Sequence, residues 1–251
     1  MLTFFRRIRK GLLGDGAVSK YLLYAIGEIL LVMIGILLAL YVNNINEQRK
    51  QISKGFDVMR EIQKNLESNS TQFQSEVDLE LKVISSIDIV LSNVRETKTY
   101  HDSLNQHFHM AGYWPTSSWE TSGYESLKKI GVESIKSEYL RNSIIELYEM
   151  RYPELSEIVR NSEGYSYSTL IPVLSQLFIF EKSDVGQNYI DYEASPFDYD
   201  QVQKSEQLQG VLSFWRLVRV IGVQSRMKII EENNQLIEQI KVELNSGSFG
   251  I

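Results

Sequence analysis

The stretch SKYLLYAIGEILLVMIGILLALYVNNINEQRK, Ser19 to Lys50, constrains this chain more than any other. A bilayer core takes about 20 consecutive apolar residues of helix to cross, and Tyr21 to Val42 supplies them with one charge, Glu28. Tyr21, Tyr24 and Tyr41 stand near the ends of the run, where amphipathic rings favour the membrane interface. The run is too long for the apolar part of a secretory signal, and no A-x-A-like site follows it, so a retained transmembrane helix is the expectation. Arg6-Arg7 lies too far upstream to act as a twin-arginine signal.

Glu28 raises the first functional question. A carboxylate at membrane depth costs about 2.5–3.5 kcal/mol on the lenient insertion scales, and such residues mark contacts or pathways by default. At about 100° per residue, Ala25, Glu28, Val32, Gly35 and Ala39 share one stripe of the helix. Gly35 and Ala39 form a small-xxx-small pair, which lets helix backbones approach closely. The stripe is the candidate helix-contact surface, its partner a second copy or another membrane protein, with Glu28 protonated or hydrogen-bonded across it. The blander alternative is a Glu near the interface whose carboxylate reaches headgroups and water.

Charge is unevenly placed in a chain of net charge −6. Arg6, Arg7, Arg9, Lys10 and Lys20 face only Asp15 ahead of the span, while the acidity lies beyond it. Basic residues also follow the span, at Arg49, Lys50, Lys54 and Arg60, so counting alone decides little about orientation. A basic tail before a long anchor and an acidic domain after it favours a cytoplasmic N-terminus and an external domain. The acidity also argues against nucleic acid as a partner. Phe4, Phe5, Ile8, Leu12 and Leu13 in the tail suit a segment lying on an anionic membrane or a partly disordered topogenic tail. The chain has no cysteine, which excludes disulfides, thiolate metal sites and cysteine nucleophiles.

No proline precedes Pro115, so long helices run uninterrupted there. Beyond Asn43, apolar residues recur at Ile45, Ile52, Phe56, Met59, Leu66, Phe73, Val77, Ile84, Ile87, Leu91 and Val94, close to a 3.5-residue period. Gln63, Ser70 and Glu80 interrupt that face with polar groups. The pattern predicts one helix, or two nearly collinear ones with a break near Ser68 to Thr71, over about 44–97. At 1.5 Å per residue a continuous helix reaches roughly 80 Å, a stalk.

Thr97 to Gly123 reads as irregular and gathers all 3 histidines, His101, His107 and His109, with Tyr113, Trp114 and Trp119. The H-x-H pair does not share a helical face and is a poor metal site. His107, His109, Tyr113, Trp114 and Trp119 are the candidate surface residues of a membrane-distal tip, which also holds Ser117; the alternative is that the aromatic rings cap a bundle core. Ser122 with Glu125 predicts a capping box opening a short helix that Gly131 ends. A further helix begins near Ser137, Tyr152-Pro153 marks a break, and the helical pattern then continues past Gly164 and Pro172 to Phe180, with bends at both. Tyr165 and Tyr167 read as a binding face or, more simply, as a packed amphipathic helix. Ser183 to Lys204 is an acidic loop lacking calcium-loop spacing, and its acids serve turns and caps. A last helix, from Ser205 to about Leu244, has the length to run antiparallel along the first. No strand alternation is long enough to build a sheet.

The Ser19 to Lys50 block closely resembles the N-terminal signature of a family of small single-pass membrane proteins of unknown function from Bacteroidetes-type Gram-negative bacteria. YESLKKIG (Tyr124 to Gly131), LRNSIIELYE (Leu140 to Glu149), YPEL (Tyr152 to Leu155) and LIP (Leu170 to Pro172) extend that resemblance over most of the chain. It implies one membrane helix and an α-helical domain, and brings no established activity.

No Walker motif, GxGxxG after a strand, HExxH or G-x-S-x-G occurs. No residue is assigned as catalytic, cofactor-binding or metal-ligating, and an enzyme is not expected. The expected fold is all-α: a single N-terminal transmembrane helix continuing into an elongated antiparallel helical bundle. Residues 1–20 form the cytoplasmic tail, 21–42 the span, 43–246 the bundle and 247–251 a frayed end. The expected function is a non-enzymatic interaction or scaffold protein of the cell envelope. It would sit in the cytoplasmic membrane with its domain in the periplasm, and associate with itself or another membrane protein. The alternative is an extracytoplasmic sensor or ligand-binding subunit; with about twenty residues ahead of the span, a sensor would signal through a partner.

Overall fold

The computed structural model describes residues 18–182 and 192–247. The basic tail up to residue 17, the acidic positions Asp184 and Asp191, and the end after residue 247 lie outside the described residues. The described residues are mainly helical, with one small two-stranded hairpin. It divides into two compact units, residues 1–54 and 55–251.

Helix α1, Val18–Arg95, is continuous over 78 residues, with no break at Ser68 to Thr71. In the first unit its large apolar side chains at Leu22 and from Ile26 to Val42 are exposed, Leu31 to 74 %. This stretch is long and apolar enough to cross a membrane.

The second unit is an antiparallel bundle built between residues 55–95 of α1 and the 42-residue α8, Glu206–Gly247. Partners on the two helices run in opposite order: Ser70 with Asn233, Glu76 with Arg226, Glu80 with Arg219, Asp88 with Arg216 and Arg95 with Ser213. Ser205 opens α8 by accepting from the Leu208 N–H at 3.1 Å, as a cap should.

Between these helices the chain packs α2 (Leu104–Ala111), α3 (Ser122–Ile130), α4 (Glu138–Glu146), α5 (Tyr152–Tyr165) and α6 (Ile171–Leu177). The helix expected to begin near Ser137 is α4, which Ser137 caps by accepting from Leu140 N–H at 3.3 Å. Gly131 ends α3 at φ 95°, a left-handed conformation that favours glycine. The predicted capping box does not form. Ser122 is the first residue of α3, and its hydroxyl donates to Asn65 of α1 at 3.2 Å. Asn65 Oδ1 also accepts from the Gly123 N–H at 2.8 Å, so the cap comes from a neighbouring helix. Gly123 must be small for this, since a Cβ there would lie 2.7 Å from the backbone nitrogen of Ile62.

The helix irregularities expected at Tyr152-Pro153 and Pro172 take one form, while Gly164 lies within the uninterrupted α5. Five-residue π-helical turns, Leu147–Arg151 and Ser166–Leu170, stand immediately before Tyr152-Pro153 and Ile171-Pro172. A wider turn accommodates the pyrrolidine ring and the carbonyl left without its N–H partner.

Two expectations are corrected after α6. The helix stops at Leu177, and Phe178–Lys182 (β1) pairs antiparallel with Tyr192–Pro196 (β2), Phe178 facing Pro196 and Lys182 facing Tyr192. The segment carries no alternation because Phe178 is the one buried side chain of β1 and Ala194 the one buried in β2. The residues read as acidic loop also include a short helix, α7 (Tyr199–Lys204), capped by Asp198 accepting from Asp200 N–H at 2.9 Å.

Two apolar cores result. Met59, Ile62, Leu66 and Phe73 of α1 meet Leu127, Ile144, Tyr152, Ile229, Leu236 and Ile240 in one. Val83, Ile87, Val90 and Val94 meet Phe108, Leu170, Leu174, Phe178, Leu212 and Trp215 in the other.

Candidate functional site

Between those cores, in both helix sequences, lies a cluster of buried charge. Arg226 Nε donates to Glu76 Oε2 at 2.7 Å, and Arg219 Nη1 to Glu80 Oε1 at 2.9 Å. Arg226 Nη1 reaches the same Glu80 oxygen at 3.5 Å. Ser117 closes the cluster from outside, donating to Glu76 and accepting from Arg226 Nη2 at 2.6 Å. Arg219 also covers the ring of Trp215, 4.0 Å from its centroid. Burial dominates the electrostatics: it raises the Glu80 carboxyl above its ordinary range despite both guanidiniums, and lowers Arg219. Such a cluster fixes which residues of two long helices face each other.

A second polar seam sits in the first core. Asn69 Nδ2 donates to Tyr152 Oη at 3.1 Å and to the Glu120 carbonyl at 3.0 Å, while Tyr152 donates to Asn233 at 3.2 Å. Burial pushes the Tyr152 hydroxyl up to about 12, so it remains a donor.

The second unit also carries an open cleft of about 660 Å³. Its walls include His109 of α2, Tyr113 and Trp114 just after it, Glu163 of α5, Tyr167 of the second π turn and Phe180 of β1. Trp114 and Tyr167 meet edge to face, centroids 5.5 Å apart at 79°. His109 stands edge-on to Phe180 at 6.4 Å and 70°. The π turn turns Tyr167 outward while Ser166 and Leu170 stay buried.

The structure thus brings together His109, Tyr113 and Trp114 among the residues expected at a tip, and separates the others from them. Trp119 packs on Phe73 and Tyr152, 6.0 and 5.6 Å between centroids, in the other core. His107 Nδ1 lies 3.1 Å from Ser86 Oγ against α1. His101 bonds Ser103 locally. Ser117 is no free tip position but a member of the charge cluster. Of the polar positions flagged on α1, Glu80 is fully buried whereas Gln63 and Ser70 are half-exposed; Asn65, Asn69 and Glu76 carry the buried polarity instead. Tyr165 fills the core role, stacked on Trp215 at 5.8 Å and 19°, and Tyr167 the surface one. Glu163 and Phe180 carry no local sequence signal of a cleft, whereas Tyr167 lies in the π turn just before Ile171-Pro172.

In the first unit, Glu28, Val32, Gly35 and Ala39 are exposed and Ala25 half-exposed. A Cβ added at Gly35 would meet nothing within 4 Å.

No curated protein and no solved structure matches the chain. A family of unknown function, DUF6090, matches residues 28–184. The match runs from Glu28 through the cleft-bearing helices to the end of β1, and stops before α8, which supplies Arg219 and Arg226 to the charge cluster. Covering well over half of the chain, it identifies the protein as a member of the DUF6090 family of unknown function.

Proposed function

We propose that this protein is a membrane-anchored, non-enzymatic interaction protein of the cell envelope. Residues 21–42 cross the cytoplasmic membrane, the N-terminus stays in the cytoplasm, and the helical bundle works in the periplasm. It associates with itself or another membrane protein through the stripe Ala25, Glu28, Val32, Gly35 and Ala39. One observation carries this reading: the large apolar side chains of α1 at Leu22 and from Ile26 to Val42 are exposed and need a lipid or protein surface to cover them. Replacing Gly35 with Leu tests it, since a bulky side chain holds helix backbones apart. The expected result is loss of the cross-linked oligomer or of the copurified membrane partner; unchanged association in Gly35→Leu counts against the stripe.

A second function, ligand binding by the bundle, is favoured by the aromatic cleft around Trp114 and Tyr167. The two are compatible in one chain, because the cleft lies wholly within the second unit.

A further inference from the structure

Three features define what the cleft can hold. Its exposed lining is aromatic: Tyr167 and Phe180 remain 60 % and 45 % exposed, and the half-buried Trp114 packs edge to face with Tyr167. Aromatic faces carry the negative part of the ring quadrupole, and Trp and Tyr hold cations best. Glu163 is the one carboxylate among the described lining residues, and no Lys or Arg is among them. An anion would meet negative ring faces and a carboxylate, whereas a neutral ligand would leave Glu163 without a role.

We infer that the cleft binds a small organic cation, a methylated ammonium or comparable group on a short apolar body. The rings supply the contact, and Glu163, exposed on α5, steers the charge toward them. The volume, about 660 Å³, falls within the ~300–1,000 Å³ typical of small-molecule sites. Gly112 and Leu174, both among the lining residues, pack closely, since a Cβ on Gly112 would come within 2.6 Å of the Leu174 side chain. This inference rests on the ligand-binding function of the cleft and is independent of helix association.

Choline and its uncharged isostere, 3,3-dimethylbutan-1-ol, separate charge from shape. Titrated by calorimetry into the full chain in detergent micelles, choline is expected to bind with a Kd on the order of 1 mM and the isostere roughly 10-fold more weakly. Trp114→Leu is expected to weaken choline about 10-fold and Glu163→Gln about 3-fold, and Glu163→Gln to leave the isostere unaffected. Glu163 is exposed, so its variant keeps the fold. Equal binding of the two probes would overturn the cation assignment and leave an apolar ligand cleft. Binding of neither would overturn the assignment together with the ligand-binding function it rests on.

Discussion

Arg219 Nη1 donates to Glu80 Oε1 at 2.9 Å between side chains only 4 % and 0 % exposed, joining two antiparallel helices. Apolar heptads tolerate sliding by a turn, because one Leu or Ile replaces another at little loss. A slide here would bury an unpaired carboxylate and an unpaired guanidinium, which is strongly unfavourable. The ion pair therefore specifies register more than it adds stability.

That distinction is measurable. Glu80→Ala strands the buried Arg219 guanidinium, while Arg226 keeps Glu76, and is expected to cost about 3–5 kcal/mol. Replacing Glu80 and Arg219 together by Leu removes both charges, and its loss is expected to be smaller than that of Glu80→Ala alone. Denaturant unfolding of the purified chain in mild detergent checks this; additive losses would contradict it.

The pH dependence of stability has a definite sign. Burial holds Glu80 above its ordinary value of 4.5, and its Oε2 has no hydrogen-bond partner among the described residues. A carboxyl raised on folding contributes fully below its unfolded pKa and loses that contribution as pH rises through the folded one. Acidifying from about pH 7 toward about pH 5 is therefore expected to stabilise the wild type relative to Glu80→Gln. Thermal unfolding of both across that range is the check.

Tyr152→Phe is expected to cost about 1–3 kcal/mol although the ring is kept, because it leaves Asn69 and Asn233 short of a buried partner. Thermal unfolding of the variant beside wild type measures it.

Gly123→Ala is expected to destabilise by about 1–3 kcal/mol, since α3 must withdraw from the Ile62 backbone to admit a methyl group. Asn65→Ala is expected to lose about 1 kcal/mol as the Gly123 N–H gives up its cap. Circular dichroism melts of both variants decide these.

How much of this was legible in the sequence follows the range of the forces involved. The 3.5-residue period from Met59 to Val94 and the long final helix were readable, because each is a local repeat. Gly131 and Ser137 were placed correctly for the same reason. The cap of α3 was misplaced because Asn65 lies 58 residues from Gly123, and nothing local distinguishes it from Ser122. Glu80 stood out as a polar residue on an apolar face, but its partner Arg219, 139 residues away, looked like any surface basic residue of an amphipathic helix. The hairpin was missed because two five-residue strands bury one side chain each and show no alternation. The aromatic cleft was half legible: His109, Tyr113 and Trp114 stand out together and Tyr165 and Tyr167 read as either a binding face or a packed one, but a 3.6-residue period cannot anticipate the π turn that separates those two tyrosines' roles.

The central claim is that the apolar helix anchors the bundle outside the cytoplasmic membrane. The chain has no cysteine, and Lys136 is exposed between α3 and α4, so Lys136→Cys gives one reporter. Intact cells with a permeabilised outer membrane, treated with a membrane-impermeant maleimide, are expected to label at that position without lysis. Labelling only after the cytoplasmic membrane is broken would place the bundle inside the cell and contradict the account.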